Sequence, residues 1–312
     1  MCEWGTQKRE HMRRILLALV SAAMLAIGMI APTTAITGNY VDDNDHPFVA
    51  LIAFYSDRRG TDDAFIHRCS GSLVDDGTPE DGSSVIVTAG HCTDDGTGDA
   101  VAVSARVWFR QDDGSRYDGV NRDPLTGYTD RCIDDPAVAL DACVMSHEMY
   151  NYGFDDFAGF PDHRDVGVII LDKPVILPEY GTITDAGAIT SNKSVTLTVS
   201  GYGISDGHAA SDPTVSFRER LMATTSLVNT TNPNTAGFNL ETQPNGGGRG
   251  GTCSGDSGGP VFYPADSNII VAVTSFGITN PNDCQGNDYS YRLDRQEVID
   301  WIDEVAGNYW NQ

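Results

Sequence analysis

Apolar residues in this chain come in short runs separated by clusters of Gly, Asp, Asn, Ser and Pro, a spacing typical of β-structure. Phe48 to Phe54, Val85-Ile86-Val87, the stretch after Asp165 to Leu171 and Ile269 to Phe276 are almost continuously apolar. Runs of this length with no helical period predict strands buried on both faces. Cys69 to Val74, Ala100 to Phe109 and Gly286 to Leu293 predict further strands, and Arg218 to Val228 predicts a strand pair. Ser194 to Ser200 alternates apolar and polar residues and predicts another strand. Near the C-terminus the period changes. Val298, Trp301, Ile302 and Val305 share one helical face, Asp294-x-x-Glu297 reads as a capping box, and Gly307 reads as the stop. The pattern is that of an all-β chain with a C-terminal α-helix, long enough for two β-barrels or one large sandwich.

Three stretches stand apart from it. Lys8, Arg9, Arg13 and Arg14 precede an apolar run from Ile15 to Ile30, and Thr33-Thr34-Ala35 follows with small residues. That order predicts an export signal over 1–35, cleaved before Ile36, because the apolar run is short for a bilayer span. Residues 111–163 are polar and sprinkled with aromatics; His147 and His163 within them read as surface histidines. Lys173-Pro174 to Gly187, with two prolines and two glycines, predicts a connection between two halves, 36–185 and 186–312.

Charge narrows the partners. The chain has 44 Asp and Glu against 20 Lys and Arg, and loss of the signal would leave 42 against 16, with Lys173 and Lys193 the remaining lysines. Such a surface repels nucleic acid and anionic membranes. The paired aspartates at Asp75-Asp76, Asp94-Asp95 and Asp112-Asp113 read as solvated loops, and no complete calcium-binding loop appears among them. Neither metal nor cofactor is expected. Cys2 leaves with the signal, so Cys69, Cys92, Cys132, Cys143, Cys253 and Cys284 remain. An even count in an exported chain predicts disulfides, and the absence of a CxxC pair argues against zinc. Spacing alone leaves the pairing open.

The chemistry concentrates at Cys253-Ser254-Gly255-Asp256-Ser257-Gly258-Gly259-Pro260. Glycines on both sides let the backbone fold tightly around Ser257 and aim N–H groups beside its hydroxyl. Gly255 to Gly259 also fits the G-x-S-x-G elbow of α/β-hydrolases, whose histidine follows the serine in sequence. All seven histidines, His11, His46, His67, His91, His147, His163 and His208, precede Ser257, so the elbow reading fails. The order His, Asp, Ser is available instead. Thr88-Ala89-Gly90-His91-Cys92 closes one strand, and Asp165 precedes another.

At these three motifs, from about Ile36 to Trp301, the chain resembles the chymotrypsin/trypsin-like serine endopeptidases. The resemblance implies two packed antiparallel six-stranded β-barrels, the first carrying His91 and Asp165 and the second Ser257. It implies a Ser257 nucleophile, a His91 base, an orienting Asp165, and an oxyanion hole from the Gly255 and Ser257 N–H groups. It pairs Cys69 with Cys92 and Cys253 with Cys284, which leaves Cys132 to Cys143. Ile36-Thr37-Gly38-Asn39 resembles the family's mature N-terminus, whose new amine pairs with the aspartate matched by Asp256. Gly201-Tyr202-Gly203 departs from the family's G-W-G by one ring. Ser275-Phe276-Gly277 matches the segment that binds substrate backbone, and Ser275 is expected to bond Asp165.

For specificity, the matched pocket position is Gly251, beside Thr252, which carries no charge. Asp288, on the opposite wall, would favour Arg or Lys at P1. A shifted register would instead put it on the surface and leave a pocket for Phe, Tyr or Leu. The expected protein is a secreted monomer with protein or peptide substrates and proteinaceous inhibitors as partners, and no nucleic acid or membrane. A secreted binding protein that kept the scaffold and lost the chemistry is the competing class.

Overall fold

The computed structural model describes residues 36–56, 64–75, 81–93, 102–112, 132, 143–191, 193–205, 217–243, 249–278, 284, 286–307 and 309. The expected signal and much of the 111–163 insertion lie outside the described residues. Among the described residues no helix is long and apolar enough to cross a membrane.

Two large sheets and a two-stranded ribbon make up the fold among the described residues. The first contains β3 (Val49–Ser56), β4 (Ala64–Leu73), β5 (Ser83–Thr88), β6 (Ser104–Trp108), β7 (Val144–Ser146), β8 (Glu148–Asn151) and β9 (Gly167–Val175). Their order is β7-β6-β3-β4-β5-β9-β8, so among the described residues the first barrel has seven strands where six were expected. The extra strand comes from the insertion, where a break at His147 splits one extended stretch into β7, which pairs with β6, and β8, which pairs with β9. All eight residues of β3 are buried, as the unbroken apolar run predicts.

The second sheet contains β11 (Thr196–Gly201), β12 (Leu221–Asn229), β13 (Asn239–Gln243), β15 (Pro260–Phe262), β16 (Ile269–Ile278) and β17 (Asn287–Arg292). Pairing of β16 with β17 closes these six into a ring. Arg218 to Val228 supplies one long strand rather than a pair; its partner β13 lies beyond Asn232, whose side chain organises the intervening turn. Lys173-Pro174 belongs to the end of β9, so the connection between the halves starts after Val175. It carries β10 (Thr182–Ile183), which runs parallel to β16.

The N-terminal strands cross over. β1 (Thr37–Gly38) pairs with β14 (Gly250–Gly251), and β2 (Tyr40–Asp42) pairs with β12. Only Thr196 on the polar half of β11 faces water: Thr198 donates to the Ala265 carbonyl at 2.6 Å and Ser200 donates to the buried Asp43. One core is shared between the sheets, joining Phe48 to Tyr55 with Tyr202, Phe262, Val273 and Tyr291. Tyr202, in place of the family's tryptophan, is fully buried, with its hydroxyl on the Arg110 carbonyl and near Arg220. A second core lies inside the second barrel and includes Ile36.

The C-terminal helix α2 (Gln296–Ala306) buries Val298, Ile302 and Ala306, with Trp301 and Val305 packed at the margin. Its expected caps are not used. Arg295 is the N-cap and makes no side-chain capping bond, and the Asp294 carboxylate is taken by Arg292 at 2.7 Å and the Ile189 N–H at 2.8 Å. A half-buried guanidinium on a buried carboxylate outcompetes a cap of about 1 kcal/mol. Gly307 keeps right-handed helical angles, so the helix ends without a left-handed glycine.

Candidate active site

The strand β5 runs into a single helical turn, α1 (Gly90–Thr93), and that turn presents His91. Cys92 in the turn is bonded to Cys69 in β4, which pins the histidine to the sheet. Asp165 ends the loop before β9 and is fully buried. Its Oδ1 accepts the His91 backbone N–H at 2.7 Å, and its Oδ2 lies 2.9 Å from His91 Nδ1. A carboxylate only accepts, so Nδ1 carries the proton and Nε2 is left free as a base. Ser275 donates a short hydrogen bond to Asp165 Oδ2.

Burial alone would push the Asp165 carboxyl up. The His91 charge opposite, with donors from His91 and Ser275, holds it below its ordinary value. For His91, burial works downward and the Asp165 charge outweighs it, so the imidazole is raised.

Ser257 sits in the loop between β14 and β15. Gly255 and Gly258 have φ of +99° and +77°, and a Cβ on Gly258 would lie 2.0 Å from Thr88 Oγ1. Only glycine permits that conformation and that approach. The loop is tied to the first barrel by the Ser70 N–H, which donates to the Ser257 carbonyl at 2.8 Å, and to the segment between β16 and β17 by the Cys253–Cys284 disulfide. Among the described residues the N–H groups of Gly255 and Ser257 have no partner, which leaves them open to an oxygen from outside.

His91 and Ser257 line one cavity of about 460 Å³, together with His67, Phe154, Phe157 and Phe276. Among the described residues no hydrogen bond joins the Ser257 hydroxyl to His91; such bonds are commonly long before substrate binds. An adjoining cavity of about 250 Å³ is lined by Ser257, Thr252, Ser275, Phe276, Gly277 and Asp288. Asp288 is buried, and its Oδ2 accepts the Thr252 N–H at 2.8 Å. Burial pushes its carboxyl up to about 7, because backbone and side-chain donors from Thr252 offset only part of the desolvation. Gly251 pairs with Thr37 through β14 and β1.

Asp256 is also fully buried. It accepts the N–H groups of Gly203 at 2.7 Å and Cys253 at 2.9 Å, and among the described residues it has no ion pair. Burial pushes it up to about 7. Ile36 is buried in the second core.

The third disulfide joins Cys132 to Cys143. Cys69, Cys92 and His91 have potential ligand atoms within 4.8 Å of one another, but both sulfurs are spent on the disulfide, and a metal needs thiolate. His46 and Asp43 form a second buried Asp–His pair at 2.9 Å; there the serine, Ser200, bonds the aspartate, and His46 stacks on Phe262. His147 is exposed, as expected, and pairs with Asp172.

His163 overturns its expectation. It is fully buried, with Nε2 at 3.0 Å from Ser275 Oγ and Nδ1 at 3.1 Å from the Pro161 carbonyl. Phe157 stacks on it, and Phe154, Phe160, Phe276 and Tyr291 surround it. The polar look of its segment hid this. The available signal was its place two residues before Asp165 amid three phenylalanines.

A family model described as Trypsin matches residues 35–302. No curated protein sequence matches the chain. Among solved structures the fold is similar to human heparin binding protein, at 18% identity over 87% of this chain and 96% of that one, with a TM-score of 0.57. It is similar to HL collagenase, at 18% identity over 86% and 97%, with a TM-score of 0.54. It is also similar to a Glu endopeptidase in complex with MPD, at 16% identity over 86% and 97%, with a TM-score of 0.54.

Proposed function

The chain belongs to the trypsin family over residues 35–302, and on that premise we propose that it is a secreted serine endopeptidase that cuts peptide bonds through Ser257, His91 and Asp165. The observation that carries this reading is the buried Asp165 bound to His91 Nδ1, with His91 on the cavity that Ser257 lines. A serine hydroxyl is a weak nucleophile, so a base must take its proton during attack. His91 Nε2 takes the Ser257 proton, Asp165 stabilises the imidazolium, and the Gly255 and Ser257 N–H groups receive the oxyanion. One such donor contributes about 3 kcal/mol in comparable sites. His91 then protonates the leaving amine, and water repeats the sequence on the acyl-enzyme.

The 250 Å³ cavity is assigned to the P1 side chain. Asp288 in its wall favours Arg or Lys there: a cation beside a carboxyl held near 7 drives it to the charged form. Activation is assigned to cleavage before Ile36. The amine released would supply the counter-charge that buried Asp256 lacks. Export would then yield the active form directly, and secreted, active protein should begin at Ile36 on N-terminal sequencing.

A serine-directed fluorophosphonate tests the whole. The secreted, processed chain should be labelled and Ser257→Ala should not. A folded, processed chain that resists labelling would sink the proteolytic reading and favour a binding protein on the same scaffold.

A further inference from the structure

Three contacts form a line through His163: Nδ1 to the Pro161 carbonyl at 3.1 Å, Nε2 to Ser275 Oγ at 3.0 Å, and Ser275 Oγ to Asp165 Oδ2. Both ends of the line, a carbonyl and a carboxylate, only accept. Three hydrogen bonds need three protons, and Ser275 supplies one. His163 would have to supply two, as an imidazolium. Burial among five aromatic rings disfavours that charge and lowers its affinity for the second proton, even with Asp165 and Asp155 nearby to favour it. The other groups that bear on the ring are His91, which opposes the charge, and Tyr291, whose hydroxyl is turned away to Asp162 at 2.6 Å. A neutral ring makes one bond too few.

Which bond is given up follows from the acceptors. The Pro161 carbonyl has a second donor, Asn239 Nδ2 at 3.0 Å, so it loses little without His163. Asp165 is an anion, and a hydrogen bond to an anion is about twice as strong as a neutral one. The proton therefore stays on Nε2.

We propose that His163 is a positioning residue for the catalytic carboxylate: its Nε2–H, donated to Ser275, keeps the Ser275 hydroxyl turned onto Asp165 and strengthens that bond. Donors in series polarise one another. Asp165 is then a weaker base toward His91 than it would be with an unsupported serine. The role of Asp165 rests on the proteolytic reading; the tautomer and the proton line do not.

The test is an NMR titration of the imidazole nitrogens in the full, processed chain carrying Ser257→Ala, which prevents self-cleavage. Neutral His163 should show a protonated Nε2 and a bare Nδ1; the reverse tautomer would overturn the proposal without any further variant. In His163→Phe the His91 pKa should rise by about half a unit, because Asp165 loses support and becomes more basic. His163→Gln, which restores an N–H donor, should bring it back. In a Ser275→Ala background His163→Phe should have no effect on His91. A fall or no change in the His91 pKa, or a shift that persists without the Ser275 hydroxyl, would refute the proposal. None of these readouts needs turnover, so a chain that failed to cut peptides would refute the proteolytic reading alone.

Discussion

Two buried carboxylates lie close to Ser257 in sequence or space, and the protein treats them oppositely. Asp165 and Asp256 are both fully buried, and each accepts at least two hydrogen bonds. Asp165 is held below the ordinary carboxyl value, whereas Asp256 is pushed up to about 7. The difference is the charge facing them. Asp165 meets the His91 imidazole; among the described residues Asp256 meets only backbone N–H groups. Asp43 falls on the first side, with His46 and Arg220 beside it, and Asp288 on the second. Neutral donors offset part of the desolvation of a buried anion, and a cation offsets the rest. In the reading proposed above, one carboxylate is complete within the fold, while Asp256 and Asp288 each await a cation delivered from outside: a new N-terminus and a substrate side chain.

The largest effects should come from breaking the completed side. Ser257→Ala or His91→Ala should lower kcat for peptide hydrolysis by about 10⁶ with the fold intact. Asp165→Asn should cost about 10⁴, because an amide holds the imidazole in the wrong tautomer.

The waiting side responds differently. In protein cleaved before Ile36, Asp256→Asn should cost about 3–5 kcal/mol, read by denaturant unfolding, since it strands a buried amine. In the uncleaved chain Asp256 titrates near 7 when folded and near 4 when unfolded. A raised folded value means stability that is complete below about pH 4 and lost as pH rises toward 7. Asp256→Asn should flatten that slope. A slope equally steep in the uncleaved variant would break the comparison.

Asp288→Gly should lower the ratio of kcat/KM for P1 Arg over P1 Phe by about 30-fold, the cost of unpairing a buried charge. In wild type the same ratio should climb as pH rises through about 7, when Asp288 gives up its proton. A wild-type preference for Phe that Asp288→Gly leaves unchanged would end the charged-pocket proposal. The smallest effect should be at His147, exposed and paired with Asp172: its alanine variant should keep activity within a few-fold, by the same peptide assay.

Much of this was legible in the sequence because short-range patterns carried it. The unbroken apolar run at Phe48 to Phe54 is buried as β3, and the glycines around Ser257 do occupy left-handed backbone. What stayed hidden depends on partners distant in sequence. Asp294 looked like a cap until Arg292 and Ile189 claimed it, and His163 looked like surface because no local pattern reveals Ser275 or Phe276 across the fold. The strands β7 and β8 were hidden for another reason: they are short, polar at their edges, and gain order by pairing with β6 and β9.

The crossing of the N-terminal strands bears on how the chain is made. Thr37–Gly38 and Tyr40–Asp42 precede every other described strand in the chain, yet their partners Gly250–Gly251 and Leu221–Ala223 follow the whole first barrel. Until then the leading strands have no sheet to join, and the entropy of closing so long a loop falls due only at the end. The first barrel can assemble early, but β1 and β2 can dock on the second only once β12 and β14 exist. Ile36 is buried in the second core beside that pairing, so the segment that would be cut at export and the strand that leads into the Ser257 loop acquire their structure together.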